Sequence, residues 1–163
     1  MISLPDLDTG EPSPRSFSEV ERESGAFCAL ALAAGEVGMQ AAEIALQKSP
    51  SADVRAFAMI TMVEHCRVNG ALQSLAGRKC PQLLSDSGAG AELDELQSIE
   101  PEHFDAAFAT GQVAANEAVV ALLERSAADI DDLELQDFAR TTLPVFVHRL
   151  EQAHALAAAH PLR

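Results

Sequence analysis

The chain has 163 residues and a formal net charge of −14, from 25 acidic against 11 basic side chains, with seven Phe and neither Trp nor Tyr. That length suits one domain with a single core, and an apolar content made largely of Ala and Leu favours packed helices over sheets. The acid excess, with Lys and Arg scattered rather than striped, excludes the electrostatics that nucleic acid or an anionic membrane surface requires.

Residues 1–15 carry Pro5, Gly10, Pro12 and Pro14 among several acids and read as a disordered acidic tail. The opening Met1-Ile2-Ser3-Leu4 has no basic region followed by an apolar stretch, so a secretory signal is not expected and the location expected is cytoplasmic. No uninterrupted apolar run reaches the roughly 18 to 20 residues of a membrane span, so membrane insertion is not expected either.

From Ser16 or Ser18 the acids Glu19, Glu21 and Glu23 favour the first turns of a helix running to about Lys48. Its apolar faces hold Phe27, Leu30, Ala31, Ala34, Gly38, Ala41 and Ala45 at three- and four-residue spacing. Ser49-Pro50-Ser51 stops it and starts a second helix, from about Ala52 to Ala76, whose inward line includes Val54, Phe57, Thr61, His65, Val68 and Leu72. So short a connection makes the two helices antiparallel neighbours.

Cys80 to Ile99 contains Pro81, Gly88 and Gly90 and reads as a long crossover with a short helix near Glu92 to Gln97. Pro101 starts a third helix that ends near Ala127, with Phe104, Phe108, Gly111, Ala115, Ala118 and Leu122 inward. Asp129, Asp131 and Asp132 offer caps for a fourth, whose inward line is Leu135, Phe138, Ala139, Thr142, Phe146, Leu150 and Ala153. Pro144 should kink this helix rather than end it, since the apolar period resumes in phase. The fold predicted for residues 16–160 is therefore all-α: an antiparallel four-helix bundle, ferritin-like in layout, with a long crossover between helices two and three.

The segments GMQAAEIALQKSPSADVRAFAMITMVEHCRVN, FDAAFATGQVAANEAVVALLERSA and LQDFARTTLPVFVHRLEQA resemble, in order and spacing, the bacterial family of unknown function numbered 4142. The resemblance covers about Gly35 to Leu156. Its most telling pieces are Val54-Arg55-Ala56-Phe57-Ala58, Glu64-His65 with Asn69, and Thr142-Leu143-Pro144. It implies a ferritin-like four-helix bundle in a family often exported and linked with the cell envelope. It further implies one inward polar residue per helix, a Glu followed by three His, a set that resembles a metal site.

Carried over position by position, the Glu falls on Gln40, the first His on His65, the second on Asn116 and the third on Arg149, beside His148. One of these four keeps the family's residue type, and the acids that would precede the Asn116 position are Ala114 and Ala115. An amide is a poor transition-metal ligand and a guanidinium repels cations, so the expectation is a family metal site that has been lost. His65 then reads as a hydrogen-bonded core histidine within a polar cluster of Gln40, His65, Asn116, Arg149 and Glu36, with Glu36 reaching Arg149 as an ion pair.

The competing expectation is a metal-binding or oxidative bundle in which His65, Glu36, Glu43 and Glu64 reassemble around iron, manganese or zinc. His148, Glu151 and His154 form a further local cluster that reads as exposed helix surface. No Gly-x-Ser-x-Gly elbow, Cys-x-x-Cys pair or phosphate-cradling glycine loop is present, and Gly88-Ala89-Gly90 reads as plain loop. Cys28, Cys66 and Cys80 lack metal-ligand spacing and read as reduced thiols. The function expected is a non-catalytic, cofactor-free interaction or small-ligand-binding module, forming a homodimer through an exposed apolar helix face or binding another protein.

Overall fold

The computed structural model describes residues 16–79 and 90–162. Among them lie five α-helices and no strand: α1 (Phe17–Lys48), α2 (Ala52–Lys79), α3 (Gly90–Ser98), α4 (Pro101–Asp129) and α5 (Leu133–Ala159). The predicted tail, Cys80 and Gly88-Ala89 of the predicted loop lie outside the described residues, and Gly90 begins α3.

Local chemistry sets the helix ends. Ser16 caps α1 in a reciprocal box with Glu19, whose Oε2 accepts from the Ser16 backbone N–H at 2.8 Å. Asp132 caps α5, its Oδ1 accepting from Glu134 and Leu135 N–H at 3.1 Å. Pro101 occupies the first turn of α4, where its missing N–H costs nothing. Pro144 leaves α5 unbroken, as expected, while α2 continues past Gly77 to Lys79.

Four helices were predicted and five are found; the fifth, α3, is the short helix of the crossover. It packs on α1 and α4. Lys48 holds its C-terminal end, Nζ donating to the carbonyls of Gln97 and, at 2.8 Å, Ile99, where a cation complements the helix dipole. Of the long helices, α1 packs on α2 and α4 on α5, and the two hairpins join through α1 with α4 and α2 with α5.

The apolar core is split into two layers. One contains Ala42, Val54, Phe57, Phe104, Phe108 and Leu156. The other contains Phe27, Cys28, Leu72, Leu123, Leu135 and Phe146. Between them, at the middle of each long helix, lies a layer rich in buried polar side chains.

The predicted face of α4 is rotated by about one residue. Its buried line is Phe104, Phe108, Gln112, Asn116 and Leu123, while Gly111, Ala115 and Ala118 are exposed. Leu30, placed inward on α1, is 58% exposed. Nor does the lack of an uninterrupted apolar run dispose of the long helices. Over Ser18–Lys48 and Pro101–Asp129 the mean hydropathy reaches 1.3 across an 18-residue window, a span-like value by length and composition, with 33% of each window buried in the structure.

Candidate functional site

The middle layer is built from Thr61, His65 and Asn69 on α2, Gln112 and Asn116 on α4, and Thr142 and Arg149 on α5, all buried. The four-residue spacing of Thr61, His65 and Asn69, and of Gln112 and Asn116, keeps each set on one helix face. Opposite them α1 supplies two glycines. A Cβ added at Gly35 would overlap the Asn69 side chain, and one at Gly38 would stand 2.6 Å from His65 Nε2. Glycine at these positions lets two polar side chains enter the α1–α2 interface.

Gly70 makes the matched control: it lies exposed in α2, and a Cβ there meets nothing within 4 Å. Gly70→Ala is expected to raise stability by about 1 kcal/mol through helix propensity alone. Gly38→Ala carries the same propensity gain yet should lower stability by about 1 to 2 kcal/mol, because the His65 ring must move within a packed core. Thermal unfolding followed by circular dichroism measures both, and equal signs for the two variants would refute the close approach.

Arg149 is the most connected side chain of the layer, at 3% exposure. Its Nε lies 3.0 Å from Glu64 Oε2, Nη1 donates to Gln152 Oε1 at 2.7 Å, and Nη2 donates to the Phe57 carbonyl at 3.1 Å and to Thr61 Oγ1. The guanidinium carbon sits 3.9 Å from the Phe57 ring centroid, within cation–π range. Burial pulls the Arg149 pKa down and Glu64 opposes that pull. The cation is thus held by an anion, two neutral acceptors from α2, a glutamine of its own helix and an aromatic face.

His65 is held differently. Its ring packs 5.3 Å from the Phe146 ring centroid. Burial first, and the charge of Arg149 second, push its pKa down to about 4. The imidazole is therefore neutral at pH 7, too weak a base for efficient proton transfer there. The cavity beside it, lined by Gly35, His65, Asn69, Thr142 and Phe146 among others, has a volume of about 20 Å³, room for one water molecule and no substrate.

Of the predicted polar cluster, the layer brings together His65, Asn116 and Arg149. Gln40 and Glu36 lie outside it, exposed on α1, where Gln40 Nε2 donates to Glu36 Oε1 at 3.2 Å. The ion pair predicted between Glu36 and Arg149 is instead Glu64 with Arg149, since the face α1 turns to the layer carries glycine. Asn69 and Gln112 belong to the layer although the predicted cluster omits them.

The residues do not fit a metal. The resemblance-based set offers two amides and a guanidinium beside His65. In the alternative set, Glu36 and Glu43 are exposed on α1 while Glu64 pairs with Arg149. Among the described residues no group of three or more His, Cys, Asp or Glu is placed to hold a metal ion. His148, Glu151 and His154 are exposed, with His148 Nδ1 at 3.5 Å from Glu151 Oε2. Cys28 is buried and Cys66 exposed.

The family comparison agrees with the resemblance read from the sequence. The family model described as Domain of unknown function (DUF4142) matches residues 9–156, and the chain belongs to that family. Comparison with curated proteins and with solved structures gives no match.

Proposed function

We propose that this family member is a non-catalytic, ferritin-like four-helix bundle that acts as an interaction module, pairing with a second copy of itself through the outer face of α2. The observation that carries this reading is the apolar cluster Met59, Ile60 and Val63, exposed at 52%, 45% and 62%. Exposed Ala56, Met59, Val63 and Cys66 follow the alternating three- and four-residue spacing of a helix-pairing seam. Large side chains at its centre and small ones at its ends suit a self-complementary contact about a two-fold axis.

Charge favours a second copy at this face over any other. Two chains of formal charge −14 repel. Yet α2 alone among the five helices is not net acidic, with Arg55 and Arg67 against Asp53 and Glu64 among its described side chains. Apposing α2 with α2 therefore keeps the acidic faces of both copies apart. On this reading α1 and α4, despite their hydropathy, are core helices, because both apolar layers draw on them.

Sedimentation equilibrium on the full chain tests the proposal. The wild type is expected to be a dimer at micromolar concentration and Val63→Glu a folded monomer, while Ala128→Glu, on the exposed surface of α4, leaves the dimer intact. A monomeric wild type, or a dimer indifferent to Val63→Glu, would contradict it.

A further inference from the structure

The exposed small residues of α4 that were predicted to face the core form the floor of a groove. It runs between α1, α3 and α4, with Val37 and Ala41 on one wall, Leu93, Leu96 and Ile99 on the other, and Gly111, Ala114, Ala115 and Ala118 along the floor. Its volume is about 520 Å³, within the usual range for small-molecule sites. A Cβ placed on Gly111 would meet nothing within 4 Å. The floor from Ala107 to Ala118 is about 16 Å long at the helical rise, which suits a linear ligand better than a compact one.

A second feature marks the groove as more than a gap between helices. Gln112 lines it and is 5% exposed. Its backbone carbonyl accepts from Asn116 Nδ2 at 2.7 Å, but its side-chain carboxamide has no hydrogen-bond partner among the described residues. The carboxamide is not among the fully buried polar atoms that lack a partner, so solvent reaches it, and a ligand in the groove can take that solvent's place. The charged side chains of the lining are Glu92 and Glu95, with no Lys or Arg among them. An anionic headgroup is therefore disfavoured and a cationic one favoured.

We infer that this groove binds a linear aliphatic cation, of the long-chain alkylammonium class. Its chain lies along the small-residue floor beneath Leu93 and Leu96. Its ammonium end is held between Glu92 or Glu95 and the oxygen of the Gln112 carboxamide. The small side chains of α4 leave the width for a methylene chain, and α3 supplies the wall that removes it from water. The site is separate from the α2 face and meets the polar layer only at Gln112.

The probe is dodecylammonium below its micelle concentration, titrated calorimetrically into the full chain, with dodecanoate as the anionic counterpart. The expected result is saturable binding of one dodecylammonium per chain and dodecanoate weaker by about tenfold or more. Ala115→Phe and Gly111→Leu, which fill the groove from exposed helix positions, should each weaken dodecylammonium by about tenfold or more with circular dichroism unchanged. The double variant Glu92→Gln, Glu95→Gln should erase the preference for the cation, and Val63→Glu on α2 should leave binding as in wild type. Non-saturable uptake, binding undiminished in both filled variants, or equal affinity for dodecanoate would each overturn the inference.

Discussion

Arg149→Ala is expected to lower the stability of the protein by about 3 kcal/mol, the scale of removing one partner from a largely buried, hydrogen-bonded ion pair. For a domain of this size that is a fall of roughly 10 °C in Tm. Three losses combine: the ion pair to Glu64, the hydrogen bonds that tie α5 to Phe57 and Thr61 on α2, and the guanidinium stacked on Phe57. Truncation also opens a gap between α2 and α5. Arg149→Met keeps an apolar stem over Phe57 and should cost markedly less. Combining it with Glu64→Gln should recover part of the remainder, because the unpaired carboxylate is then gone. Urea unfolding gives all three values. A near-zero cost for Arg149→Ala would mean that the guanidinium does not organise the layer.

The second large effect is a dependence of stability on pH below neutrality. The ordinary pKa of histidine is 6.5 and that of His65 in the fold is about 4, so between these values the unfolded chain binds the proton more readily. Stability from this group is fully present above pH 6.5, declines as pH falls through the window, and is lost below about 4. The loss amounts to about 3 kcal/mol across the window. Asp53 adds to the decline only at lower pH: hydrogen bonds from Ser51 and then His160 hold its pKa at about 2 against 3.8, so its contribution declines as pH falls from 3.8 to about 2. His65→Gln should flatten the unfolding free energy between pH 6.5 and 4 relative to wild type. Parallel pH profiles for the two proteins would show that the imidazole is not held neutral by the core.

The helix boundaries were readable because they rest on local chemistry: the Ser16 and Glu19 box, Ser49-Pro50-Ser51, Pro101, and the Asp132 cap. The inward face of α4 was not. From Ala106 to Ala118 the segment carries Ala or Gly on every side, so apolar periodicity barely distinguishes one face from the next. The usable signal was the four-residue spacing of Gln112 and Asn116, in register with Phe104 and Phe108.

The polar layer was half legible for a related reason. Sequence reasoning matches polar residues with polar residues and so assigned Glu36 and Gln40 to His65 and Arg149. The fold answers His65 and Asn69 with Gly38 and Gly35, which contribute space and not a side chain. Gly35-x-x-Gly38 facing Thr61-x₃-His65-x₃-Asn69 is the pattern that would have shown it. Glu64 was overlooked as the partner of Arg149 because adjacent helical residues point about 100° apart. A long arginine from α5 nevertheless reaches Glu64 while leaving His65 against Phe146.

We propose that this middle layer is structural, organised by a neutral imidazole and a buried guanidinium and not by a metal. Elemental mass spectrometry on protein expressed with iron, manganese and zinc available tests it most directly, with His65→Ala alongside and unfolding repeated in excess chelator. Metal far below one equivalent per chain is expected in both proteins, with an unfolding curve that chelator does not move. About one equivalent of metal in the wild type, lost in His65→Ala, would contradict it.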